Sequence, residues 1–170
     1  MSRKKEKNLG TFEVKSGKLH ISDPCYEYDE NDKICVLTLK DVLNGKYIAK
    51  ISIESKYNDV ESLTIYHEKY SEVEPNFLMG TIGVDSGQAG IFDLKYYEKN
   101  QGGEFGDLNS FYGLACSLTL SKEQGGIMNY AGVVSSSGCG DGEYEVYVGA
   151  NDIGEIVSVK IIFIEHDEEY

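Results

Sequence analysis

Ile82–Asp93 reads IGVDSGQAGIFD: two short apolar runs, each ending in an aspartate, joined by Ser86-Gly87-Gln88. Runs of this length, bounded by glycine and polar residues, are strands rather than helices. Ser135–Tyr147, SSSGCGDGEYEVY, repeats the pattern of small residues, glycines and one aspartate opening into an alternating strand. These are the places where the backbone is freest to approach a ligand, because glycine has no Cβ to exclude one. Both read as hairpin regions, and a shared cleft between them is the expected site.

Outward from the first stretch the chain keeps the same rhythm. Phe12 and Val14 alternate with polar residues, and Ser16-Gly17 reads as a hairpin turn into a second alternating run, Lys18–Ser22. Asp23-Pro24 stops it, since proline donates nothing to a ladder. Lys46–Glu54 and Val60–His67 alternate closely and are expected to pair as an antiparallel hairpin. Leu94–Lys99 reads as a short helical turn, Asn100–Asn109 as a glycine-rich acidic loop, and Phe111–Leu120 and Ile127–Val134 as strands. Glu143–Val148 and Ile156–Ile164 close the fold around a turn at Asn151–Gly154. About ten short strands at this spacing predict an all-β, single-domain antiparallel β-sandwich or partly open barrel with at most one or two short helical turns. The expected organisation is a flexible basic arm over residues 1–8, one β domain over 9–165 and an acidic tail over 166–170. No full internal repeat is read from the sequence.

The 170 residues carry a formal charge of −13 and a pI near 4.6. So negative a surface repels nucleic acid and anionic lipid, leaving a small ligand or a protein as the expected partner. Cys25, Cys35, Cys116 and Cys139 have no CxxC spacing, which argues against zinc. MSRKKEKNLG lacks an apolar run, so no secretory leader is expected and the expected compartment is the cytoplasm.

Three blocks in order, SGKLHISDPCY at 16–26, IGVDSGQAGIFD at 82–93 and SSSGCGDGEYEVYVGANDIGEIVSVKIIF at 135–163, resemble an uncharacterised family of small bacterial and phage proteins. The resemblance implies a β-rich single domain and supplies no activity.

The candidate binding residues are Asp85, Ser86, Gly87, Asp93, Ser136, Ser137, Cys139, Asp141 and Tyr144. The acids, with Glu143, are what a divalent cation or a general base recruits; the competing reading is carboxylates accepting hydrogen bonds from turn amides. No cofactor is expected, and a divalent cation is the one the acids allow. Ser135–Ser137 offer hydroxyls to an anion, Cys139 is a reachable thiol, and Cys25 with His20 is a second candidate nucleophile pair. His20 and His67 read as facing solvent. Tyrosines 96, 97, 112, 130, 144 and 147 flank the glycine loops as a candidate contact surface. With no assembled catalytic set, the expectation is a non-enzymatic ligand- or protein-binding module. The alternatives are a metal- or cysteine-dependent hydrolase and an acidic inhibitor or immunity-type protein.

Overall fold

In the computed structural model, which describes residues 4–165, two antiparallel sheets stack face to face. The six-stranded sheet runs β1 (Lys4–Val14), β4 (Gly45–Glu54), β5 (Asp59–His67), β11 (Ile156–Ile162), β10 (Gly142–Ala150), β6 (Phe77–Val84). The five-stranded sheet runs β3 (Leu37–Leu39), β2 (Leu19–Ser22), β7 (Gln88–Asp93), β9 (Gly132–Ser136), β8 (Gly125–Met128). The expected all-β sandwich is what forms. Between the sheets lies a core that includes Phe12, Leu19, Ile21, Ile51, Leu63, Ile65, Ile91 and Ile161.

The outer face of the five-stranded sheet is covered too. Helices α1 (Leu94–Lys99) and α2 (Phe111–Thr119) belong to the segment between β7 and β8, and Tyr97 and Phe111 pack with Phe92, Met128 and Val134 in a second cluster. Phe111–Leu120, expected as a strand, is therefore mostly helix, with Ser110 Oγ capping its first turn through the Gly113 amide at 3.0 Å. The expected strand over Ile127–Val134 is two strands, broken at Asn129 and Tyr130, both in the left-handed region. Residues 4–8 of the expected flexible arm are in β1, laddered from Lys4↔Glu54 to Asn8↔Lys50. Residues 1–3 and the acidic tail 166–170 lie outside the described residues.

Three turns read as hairpins are corners at which the chain changes sheet. Ser16-Gly17 joins β1 to β2, Ser86-Gly87 joins β6 to β7, and Ser137-Gly138 lies between β9 and β10. Each glycine holds a left-handed φ, of 69°, 70° and 63°, which a side chain would strain.

Strand pairing makes the molecule a duplication. In the first half β1 pairs β4, β4 pairs β5 and β2 pairs β3; in the second β6 pairs β10, β10 pairs β11 and β7 pairs β9. The halves meet through β2–β7 in one sheet and β5–β11 in the other. Register agrees as well as order. Val14↔Gly45 matches Val84↔Gly142, and the bulge after Gly10↔Ala49 matches that after Gly80↔Val146. The bulge between Ser52↔Ser62 and Ile53↔Val60 likewise matches that between Gly149↔Ser158 and Ala150↔Ile156. Under this correspondence GTFEVKSGKLHISD at 10–23 lies on GTIGVDSGQAGIFD at 80–93, with Gly, Thr, Val, Ser, Gly, Ile and Asp in common. The repeat not read from the sequence is thus present. The second half differs chiefly by residues 94–131, which carry α1, α2 and β8 where the first half has the shorter connection 23–36.

Candidate functional site

The two glycine-rich stretches do meet. The Gly87 amide donates to Asp141 Oδ1 at 3.0 Å and the Ser137 amide to the Gly87 carbonyl at 3.1 Å. What holds them is a residue that the sequence reading treated only as a strand stop, Asp23, which is fully buried. Its Oδ2 accepts from the Asp85 and Ser86 amides at 2.8 and 2.6 Å, and its Oδ1 from the Cys25 amide at 2.8 Å and Ser86 Oγ at 2.6 Å. Asp93 sits at the far end of β7, away from this corner, and does the same work on the other one. Its Oδ2 accepts from Lys15 and Ser16 at 2.6 and 3.3 Å, and its Oδ1 from Lys95 at 3.0 Å. Each half's aspartate clamps the other half's corner. Carboxylates that accept several amides are turn-capping elements.

Of the remaining predicted residues, Asp85, Ser137 and Tyr144 are also engaged in the corner. Asp85 is exposed and accepts the Tyr26 hydroxyl. Burial first, then that carboxylate, raises the Tyr26 phenol above its ordinary range. Ser137 Oγ and the Tyr144 hydroxyl both donate to the Gly140 carbonyl, at 2.8 and 2.6 Å. Half-buried Ser136 donates to the Thr119 carbonyl at 3.4 Å, and Cys139 is exposed. Burial, followed by the Asp23 carboxylate, pushes the Cys25 thiol up to about 12, which keeps it protonated near neutral pH.

Both histidines read as solvent-facing are buried. His20 lies on a strand covered on both sides, with ring centroids 4.3 Å from Tyr97 and 5.4 Å from Tyr28, and burial lowers its pKa to about 4. His67 packs edge-on against Tyr47 at 5.2 Å and contacts the Asn44 carbonyl at 3.0 Å through Nε2. Its counterpart Phe163 meets Tyr144 at the same 5.2 Å. Among the described residues no group of three or more His, Cys, Asp or Glu is placed to hold a metal, and no helix is long and apolar enough to cross a membrane.

A ligand-sized cavity lies elsewhere, on the outer face of the six-stranded sheet. It measures about 550 Å³, within the usual span for small-molecule sites. Lys50, Thr64 and Lys160 form a row across its floor, because β4, β5 and β11 place them in register. Ser52, Glu61 and Tyr66 rise around the row, with Glu6 and Glu74 also lining it. Glu61 is the bulged residue of β5, only 3% exposed, and accepts from Ser52 Oγ at 2.8 Å. The Tyr66 phenol is raised by burial and then by Glu74 and Glu6. Sequence reading passed over this face because each residue, taken alone, is an ordinary polar position in an alternating strand.

The duplication shows which of these side chains the fold requires. Where the first half has Lys50, Ser52 and Glu61, the second half has Tyr147, Gly149 and Val157 at matching register positions. The scaffold accepts uncharged residues at all three. By contrast Asp23/Asp93, Ser16/Ser86 and Tyr47/Tyr144 are shared, so the corner residues belong to the fold. Comparison with family models, with curated proteins and with solved structures returned no match.

Proposed function

We propose that the protein is a non-enzymatic binding module that holds a small polar molecule in the cavity on the outer face of the six-stranded sheet. One observation carries the reading: a buried glutamate and a lysine line a ligand-sized cavity at positions where the duplicated half does without charge. Buried charge is costly unless paired and is retained where it serves something. Ammonium groups from Lys50 and Lys160, hydroxyls from Ser52, Thr64 and Tyr66, and the carboxylates around them suit a compact ligand bearing both charge signs, of amino-acid or short-peptide kind. The engagement of Asp23, Asp93 and Asp141 by backbone amides and the high thiol pKa of Cys25 favour binding over hydrolysis at the corners.

The test is titration of the ¹⁵N-labelled protein with the free amino acids and a set of dipeptides. At least one compound is expected to shift the amides of Lys50–Ser52, Glu61–Thr64 and Lys160–Ile162 saturably, and Lys50→Ala is expected to weaken it tenfold or more with the melting temperature kept. Absence of any response at those amides would count decisively against the proposal.

A further inference from the structure

The duplication is incomplete at one edge. In the second half, the segment leading into β8 closes the side of the sandwich along β1. Glu123 pairs with Lys7 at 3.1 Å, the Gln124 side-chain amide donates to the Asn58 carbonyl at 2.9 Å, Gly125 abuts Leu9, and Ile127 lies over Gly10. β8 then ladders onto β9 from Gly125↔Ser135 to Met128↔Gly132.

The positions matching Lys7, Leu9, Gly10 and Asn58 are Phe77, Met79, Gly80 and Gly154. They sit on the opposite edge, beside β3, the counterpart of β9. Among the described residues nothing corresponding to β8 pairs with β3: the first half's connection 23–36 makes no such strand, and only its Cys35 carbonyl accepts from β6, from the Gly83 amide at 2.9 Å. What remains is a cavity of about 390 Å³ whose walls are apolar at Phe77, Met79, Val148, Ala150 and Ile156, with Lys40 and Asp41 at its side. Phe77 is 67% and Met79 37% exposed, and Thr38 of β3 is exposed beside them. Leu37 leans over Gly80 much as Ile127 leans over Gly10, so the inner end of the groove is already lined. The outer end is open.

We infer that the β3–β6 edge is an acceptor for an extended peptide strand supplied by a partner protein, with the small-then-aliphatic chemistry of residues 123–128. The other half is the template: an incoming strand runs antiparallel to β3, sets small residues opposite Leu39 and Thr38, and lays an aliphatic side chain near Leu37 and Met79. Strand addition at an exposed sheet edge is an established recognition mode, and unprotected edges invite it. The site is separate from the outer-face cavity, so either proposal can fail without the other.

The probe is a capped synthetic peptide of residues 121–130, SKEQGGIMNY, titrated into the ¹⁵N-labelled full-length protein. Expected are saturable shifts at Val36–Leu39 and Phe77–Gly80 with Kd below about 1 mM. The Met79→Lys variant is expected to weaken binding at least tenfold, and a peptide carrying lysine in place of its isoleucine is expected not to bind. Silence at those amides overturns the inference, as do shifts confined to Lys7–Gly10 and β9, which would mean exchange with the protein's own β8. Concentration-dependent shifts at the same amides in the protein alone, abolished by Met79→Lys, would overturn it in favour of a second copy of the chain.

Discussion

Asp141 occupies in the second half the place of Asn44 in the first: the Oδ1 of each accepts the amide of the corner glycine, Gly87 at 3.0 Å and Gly17 at 2.7 Å. An amide serves where an acid serves, so the contact needs an acceptor and not a charge. The role that Asp141 was expected to share in a ligand site is thus also that of a latch. Asp141→Asn should leave stability within about 0.5 kcal/mol, the range of ordinary surface substitutions, whereas Asp141→Ala should lose about 1 kcal/mol with the hydrogen bond. Urea denaturation of the two variants separates these outcomes. A large loss in the asparagine variant would show that charge matters at this position.

The reciprocal clamps set a larger effect. Removing the buried Asp23 carboxylate leaves the amides of Cys25, Asp85 and Ser86 without their acceptor, and Asp23→Ala should cost about 3 kcal/mol. Asp93→Ala should cost a similar amount through Lys15, Ser16 and Lys95. Asp93 lies opposite Leu19, four residues from Asp23, or about 13 Å along an extended strand. The two losses should therefore add to within about 0.5 kcal/mol. Marked non-additivity in the double variant would mean that the corners are coupled through the sheet.

Much of the sandwich was legible, and the misreadings share a cause. β4 with β5 and β10 with β11 announce themselves because polar residues alternate with apolar ones along each strand, a period-two pattern that holds even though the polar positions of β5 are themselves buried. β2 and β7 are buried on both faces, so the alternation that placed His20 outside has no outside to report. α2, FYGLACSLT, lies against the same sheet and is apolar enough to pass for a strand. A Ser-Gly pair fixes a left-handed glycine without fixing whether the chain returns to its own sheet or crosses to the other, which is why three corners were read as hairpins. The duplication is written in the letters of 10–23 and 80–93, where seven of fourteen residues agree. The cavity on the outer face had no local sign at all, because Lys50, Thr64 and Lys160 meet only through register.

His20 makes stability depend on acid. Its folded pKa is about 4 against an ordinary 6.5, so below pH 6.5 the unfolded chain takes up a proton that the native state refuses. Stability from this group is intact above pH 6.5 and falls as the pH drops toward 4, by up to about 3 kcal/mol. His20→Phe should flatten that part of the profile. Urea midpoints measured at pH 7 and pH 4.5 should differ less in the variant than in the native protein; an equal difference would show that carboxylates alone set the acid limit.

Two glycines three residues apart should tolerate alanine unequally. At Gly87 a Cβ meets nothing within 4 Å, so only the left-handed φ of 70° resists it, and Gly87→Ala should cost about 1–2 kcal/mol. At Gly90, the counterpart of His20, a Cβ would lie 2.4 Å from the Phe92 ring and 2.7 Å from the Val133 carbonyl. Gly90→Ala should cost more, about 3 kcal/mol, because the close-packed ring and backbone must both shift. Thermal denaturation ranks the pair, and the reverse order would mean that the aromatic cluster yields more easily than the corner.

The second half has already tried the substitution that most directly probes the cavity on the outer face. Val157 stands where Glu61 does, with no exposure at all, and the strand around it is regular apart from the shared bulge. Glu61→Val should therefore fold and be neutral or stabilising by about 1 kcal/mol, as replacing a buried charge with a well-packed aliphatic often is. Its cavity should also lose whatever response the amino-acid panel produces. The converse exchange, Val157→Glu, places a carboxylate where no ammonium or hydroxyl of the Lys50–Ser52 set has a counterpart, and should cost about 3 kcal/mol or more. Calorimetric unfolding of both variants tests the asymmetry. If Glu61→Val were as damaging as Val157→Glu, the glutamate would be a structural element of the bulge, and the cavity's charge would no longer argue for a ligand.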